Sequence, residues 1–134
     1  MMRRFTMTAI AAVMLANAAV GQANDAIEDV IGSQLQAFND RDVTTAFSFA
    51  SPTIQGIFRE PGNFGTMVER GYPMVWDNRA VRFLGLREEA GMQIQTVQIE
   101  DPAGDVYTLE YAMIETADGW QINGVQIVET DLAA

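Results

Sequence analysis

Three of the side chains that carry most protein chemistry are missing: the 134-residue chain holds no His, no Cys and no Lys. That removes imidazole acid–base work, Ser-His-Asp triads and His metal ligands. It also removes thiol nucleophiles, disulfides, thiolate metal sites and Schiff bases. No glycine-rich motif of the phosphate-cradling type occurs. Carboxylates, Tyr, Ser, Thr and Arg remain. Their sharpest catalytic arrangement is a carboxylate base facing a Tyr donor, with Asp40, Glu110 or Glu115 set against Tyr72, Tyr107 or Tyr111. Each of these groups needs burial to gain a useful pKa. The local sequence points elsewhere. Asp40 lies in Asn39-Asp40-Arg41-Asp42, a solvated helix end, and Glu110 alternates with Thr108 and Ala112 on a face open to water. These groups read as surface charge and core tyrosine, and no catalytic residue is assigned. Glu100, Asp101 and Asp105 bring three carboxylates to one turn. Oxygen ligands of this kind suit Ca²⁺, but the spacing is not that of an EF-hand loop. The expectation is a wet hairpin tip, with no metal and no cofactor.

The large apolar side chains are more informative. Phe38, Phe47, Phe64, Met67, Tyr72, Trp76, Tyr111, Met113 and Trp120 either fill a core or line an incompletely filled cavity for a small apolar ligand. In the second case Tyr, Trp and Asn123 supply the orienting polar groups. The candidate pocket residues are Phe38, Phe64, Tyr72, Trp76, Tyr111, Met113, Trp120 and Asn123. Gln93, Gln95, Gln98, Gln121 and Gln126 are expected on the outer or alternate strand faces, where neutral polar side chains can also meet a second copy of the chain.

Helices come first and strands second among the elements that must position these residues. Asp25-x-x-Glu28 has the form of a capping box. Ile27, Val30, Ile31, Leu35 and Phe38 follow at helical spacing, ending near Asn39. Asp42 can cap a short helix with Ala46, Phe47 and Ala50, and Ser51-Pro52 is an N-cap and N1 pair for a further turn through Ile54 and Phe58. Glu60-Pro61-Gly62 breaks the chain, Asn63 can cap a helix bearing Phe64, Met67 and Val68, and Gly71 is placed to end it. Tyr72-Pro73-Met74-Val75-Trp76 reads as extended, because Pro73 disfavours a helical Tyr72. From Val81 the period changes to two. Strands are expected over Val81 to Glu88, Met92 to Glu100, Val106 to Thr116 and Trp120 to Glu129. Glu89-Ala90-Gly91, Asp101-Pro102-Ala103-Gly104 and the hairpin dipeptide Asp118-Gly119 separate them. Short connections make neighbours antiparallel, so an α+β fold results, with N-terminal helices packed on a four-stranded antiparallel meander. Leu109, Tyr111 and Met113 share one face of the third strand. Trp120, Ile122 and Val128 share a side of the fourth.

Residues 1–23 read as a Sec-type signal peptide. Arg3-Arg4 is the n-region, Phe5 to Leu15 is apolar, and Gly21-Gln22-Ala23 is a small-x-small site. Cleavage after Ala23 is preferred; Ala16-Asn17-Ala18 offers an alternative after Ala18. The apolar run is shorter than the roughly 20 residues a membrane span needs. The expected location is periplasmic or secreted, with residues 24–134 as one domain. That mature part has six arginines against 18 acidic residues, a net charge of −12. Such a surface repels phosphate backbones and anionic lipid, so neither nucleic acid nor membrane is an expected partner.

Particular strings carry a resemblance. Ile27-Glu28-Asp29-Val30-Ile31, Gln34-Leu35-Gln36-Ala37-Phe38, Ala50-Ser51-Pro52, Asn63-Phe64, Gly71-Tyr72-Pro73-Met74-Val75-Trp76 and Gly119-Trp120-Gln121-Ile122-Asn123-Gly124-Val125 are similar to the exported bacterial family called domain of unknown function 4864. The helices-then-meander order resembles the NTF2-like (cystatin-like) cone. The resemblance implies that fold and export, and it carries no activity. The NTF2-like scaffold hosts enzymes, ligand-binding proteins and dimerisation modules, so fold alone does not choose. The expectation is a non-catalytic module that holds a small apolar ligand or associates, for instance as a homodimer through its sheet face. The alternative is an NTF2-like enzyme in which a buried carboxylate and a Tyr perform acid–base chemistry.

Overall fold

The computed structural model describes the backbone of residues 3–131 and the side chains of residues 21–128. Most of the expected leader, including the alternative cut after Ala18, therefore lies outside the described side chains. Among the described residues, helices α1 (Arg3–Asn39), α2 (Val43–Ser48), α3 (Pro52–Phe58), α4 (Pro61–Gly71) and α5 (Pro73–Trp76) precede all strands. β1 (Ala80–Glu89), β2 (Met92–Glu100), β3 (Val106–Thr116) and β4 (Gly119–Asp131) follow. They form one antiparallel sheet in the order β1-β2-β3-β4, the expected meander. No helix among the described residues is long and apolar enough to cross a membrane.

α1 is the helix against which the sheet and the other helices pack. Ile27, Ile31, Leu35 and Phe38 recur at helical spacing and are at most 1% exposed. Burying each side chain of this size contributes about 1.5–3 kcal/mol. Asp25 does not start this helix in the full chain, since α1 already runs from Arg3. The residues before Asp25 are rich in Ala and Met, and extending a helix costs less than nucleating one. Beyond Asn39, Arg41 turns the chain with φ 59° and donates to the Phe38 carbonyl at 2.9 Å and to Asp77. Its guanidinium lies 4.3 Å from the centre of the Trp76 ring.

Two expected caps form. Asp42 accepts from the Thr45 amide at 3.2 Å, and Ser51 Oγ accepts from the Ile54 amide at 3.3 Å. α4 differs from expectation. It opens at Pro61, which occupies the N1 position rather than breaking the chain, and Asn63 donates to the Phe58 carbonyl instead of capping. Gly71 is its last helical residue and has no left-handed φ. The segment expected to be extended after Tyr72 is instead the helical turn α5. Pro73 does keep Tyr72 out of the helix, at φ −136° and ψ 60°, but is itself well placed to begin one. Gly65 sets the spacing of α4 from α2: a Cβ there would stand 2.6 Å from Val43 Cγ1.

β2 and β3 occupy the expected bounds, and β1 and β4 extend slightly beyond theirs. The last hairpin turns through Ala117-Asp118. Gly119, at φ 100°, pairs with Thr116 and opens β4, so the turn is centred on Ala117-Asp118, neither of which has a positive φ, rather than on Asp118-Gly119. Three irregularities curve the sheet. On β1, Leu84 and Gly85 oppose the single Thr96. On β4, Asn123 and Val128 are each an extra residue in the register with β3. The bulge at Asn123 reverses the inside–outside parity of β4. Trp120 and Ile122 therefore face inward before it and Val125 after it, and Val128, expected with them, is 52% exposed.

The β1 bulge also explains a misplaced glutamine. Gln95 was expected on an outer or alternate face, yet it is 2% exposed in the core. Its side-chain amide donates to the carbonyls of Leu84, Gly85 and Thr96 at 3.1, 3.3 and 3.0 Å. Those groups lose ladder partners at the bulge, and a buried carbonyl must find another donor.

Candidate functional site

Two aromatic residues from helices and one from the sheet converge on an incompletely filled space. Phe38 on α1 and Phe64 on α4 stand with ring centres 5.9 Å apart. Tyr111, in the middle of β3, is fully buried. Together with Ile54, Ile57 and Phe58 on α3 and Met67 and Val68 on α4, they line a pocket of about 320 Å³. Tyr72, Val75 and Val125 complete much of the wall, and Gln34 lies among the apolar residues. Among the described residues no charged side chain lines it. Ile57, 64% exposed, marks the rim.

The local sequence accounts for this gap. α3 is seven residues long and none of its residues is buried, so it covers the core without filling it. It is fixed at its start. The Ser51 amide donates to Ile122 O and the Ile122 amide to Phe49 O, both at 2.8 Å, pairing Ala50 with β4. Ser51 Oγ also donates to Asn123 Oδ1 at 2.8 Å. At its other end Arg59 takes φ 69°, a conformation uncommon for a side chain with a Cβ.

Two tyrosines line the pocket. Tyr72 donates to Val125 O at 3.0 Å, on the residue that pairs with Tyr111 across the sheet. The Tyr111 hydroxyl is buried with no hydrogen-bond partner. Burial, and then the proximity of Tyr72, push its pKa well above the ordinary phenol value, so it stays protonated. A buried polar group without a partner costs roughly 1–3 kcal/mol, and native proteins keep few of them.

The chain matches the family described as Domain of unknown function (DUF4864) over residues 21–134. It belongs to this family. No curated protein and no solved structure matches it.

In this DUF4864 chain the eight candidate pocket residues divide evenly. Phe38, Phe64, Tyr72 and Tyr111 meet at the pocket. Trp76 stacks between Phe38 and Arg41 outside it, and Met113 is fully buried farther along β3. Asn123 is engaged by Ser51 and by Met92 Sδ at 3.6 Å. Trp120 lines a separate, wider groove of about 780 Å³ between α1, α2 and the last hairpin. Ile54, Ile57 and Phe58 are not among the pocket candidates read from sequence, because a seven-residue helix shows too little periodicity to reveal which of its apolar residues face inward.

Among the described residues no Asp or Glu reaches the pocket. Glu110 is on the outer face of the sheet, 2.6 Å from Arg87, whose hydrogen bond holds its carboxyl below the usual Glu range. Asp40 and Glu115 are exposed. A carboxylate–tyrosine contact does form at the β2–β3 turn, where Tyr107 donates to Asp101 at 3.4 Å. There Asp101 is occupied with the loop itself, accepting from the Ala103 and Asp105 amides at 3.0 Å. Among the described residues no three acidic side chains gather as metal ligands.

Proposed function

We propose that this chain is an exported, non-catalytic module that holds one small, largely apolar molecule between α3, α4 and the inner face of the sheet. One observation carries the reading: a cavity within the size range of ligand sites, walled almost entirely by apolar side chains. Export is supported by the order of charge, apolar run and small residues over 1–23, and by a family match that begins at residue 21. Helices ahead of a curved meander support an NTF2-like relationship.

The alternatives have less support. Carboxylate–Tyr catalysis lacks a carboxylate at the pocket. Among the described residues, the exposed large apolar side chains form no single patch on the sheet for association. Leu84 on β1 and Ile127 and Val128 on β4 are exposed, but these strands are opposite edges of the sheet.

The test is a fluorescence titration of residues 24–134 with the neutral probe N-phenyl-1-naphthylamine. Saturable binding at one site is expected, weakened at least fivefold by Ile57→Glu, which sets a charge at the rim without disturbing the core. Absence of saturable binding, or binding indifferent both to Ile57→Glu and to the pocket-filling Val68→Trp, would overturn the proposal.

A further inference from the structure

We infer that the ligand is an amphiphile held by a single hydrocarbon chain, which fills the pocket while its polar head stays in water at the Ile57 rim. This rests on the ligand-binding reading above and adds the class of ligand and the basis of its selection: chain length is read, the head group is not. The polar groups of the wall decide it. Among the lining side chains, Gln34, Tyr72 and Tyr111 carry nitrogen or oxygen. The Tyr72 hydroxyl donates to Val125 O at 3.0 Å, and the Gln34 amide donates to Ala46 O at 3.1 Å. Gln34 as a whole is only 3% exposed. The Tyr111 hydroxyl is closed off with the rest of its residue, which is 0% exposed, so no ligand atom reaches it. A polar group carried into this space would give up its water and find no side-chain partner in return, and that loss exceeds what one more methylene gains.

The pocket is also not sealed. Ile57 on α3 is 64% exposed at its rim, so one end of an occupant meets water. A polar group at that end keeps its hydration. With no charged side chain in the wall among the described residues, nothing there selects one head over another. Size sets the length of the chain. At about 30 Å³ per water in the liquid, 320 Å³ corresponds to about ten waters, room for a chain of roughly eight to ten carbons.

Four compounds test this: hexanol, octanol, octane-1,8-diol and octyl glucoside, each titrated calorimetrically, below any micelle-forming concentration, into residues 24–134 and into the pocket-filling Val68→Trp variant. Each buried methylene is worth about fourfold in affinity, so octanol should bind roughly fifteenfold more tightly than hexanol. Octyl glucoside should bind within about threefold of octanol, because its sugar remains in water. The diol must carry one hydroxyl into the pocket and should bind about tenfold more weakly than octanol. Val68→Trp should weaken octanol by about tenfold or more. A diol as tight as octanol, hexanol equal to octanol, a head group that changes affinity by more than about threefold, or octanol binding undiminished in a folded Val68→Trp protein would overturn the inference. Failure of all four compounds to bind while the naphthylamine probe binds would overturn the inference and leave the pocket reading standing; failure of the probe as well would overturn both. The wild-type order decides the matter by itself if the variant does not fold.

Discussion

Replacing Tyr111 by Phe removes one oxygen from a fully buried site and leaves the ring's packing in place. Where a buried Tyr hydroxyl is hydrogen-bonded, this change destabilises a protein by about 1 kcal/mol. Here the hydroxyl has no partner, so folding strips it of water without return, at roughly 1–3 kcal/mol. The ligand-free variant should therefore be more stable than the wild type, by about 1–2 kcal/mol. For a domain near 110 residues, each kcal/mol moves the midpoint by roughly 3–6 °C. The assay is thermal melting of residues 24–134 by circular dichroism, with urea unfolding to obtain the free energy. A ligand-free Tyr111→Phe protein that melts lower than the wild type would refute the reasoning, because it would show that the hydroxyl is already satisfied.

Three further outcomes follow from the same contacts. Gln95→Leu keeps the apolar bulk but strands the carbonyls of Leu84 and Gly85, and should lower the urea-unfolding free energy by about 2–3 kcal/mol. Ser51→Ala removes the α3 N-cap and the bond to Asn123; a loss of about 1 kcal/mol on melting and weaker probe binding are expected, because α3 covers the pocket. Glu110 has its folded-state pKa lowered by Arg87, so its stabilising effect is full above the ordinary Glu value of about 4.3 and disappears as pH falls through the lowered one. Glu110→Gln should lose less stability than the wild type between pH 6 and pH 3, measured by urea midpoints; parallel curves would show that the pair contributes nothing.

The sheet was legible because its separators are local chemistry: Ala90-Gly91 and the Asp101 to Gly104 turn announce themselves in a few residues. The bulges were not. A bulge breaks the period of two at a point that no single residue marks, which is why Val128 was assigned to the wrong face of β4. Gln95 shares the parity of Val97 and Ile99 and could have been placed in the core by that signal, but its polarity argued for the surface. Proline misled in α4 and α5, where it begins helices rather than ending them. At the site, Phe38, Phe64, Tyr72 and Tyr111 could be read as large side chains on apolar faces. Their meeting at a gap depends on α3 spanning the core without filling it, a tertiary fact with no sequence period behind it.

The most direct test of the pocket is a two-dimensional NMR titration of residues 24–134 with N-phenyl-1-naphthylamine. Saturable shifts are expected, confined to the residues around Ile54, Phe64, Met67, Tyr111 and Val125. Shifts centred on Trp120 and the α1–α2 groove, shifts over the outer sheet face, or no shifts at all would contradict it.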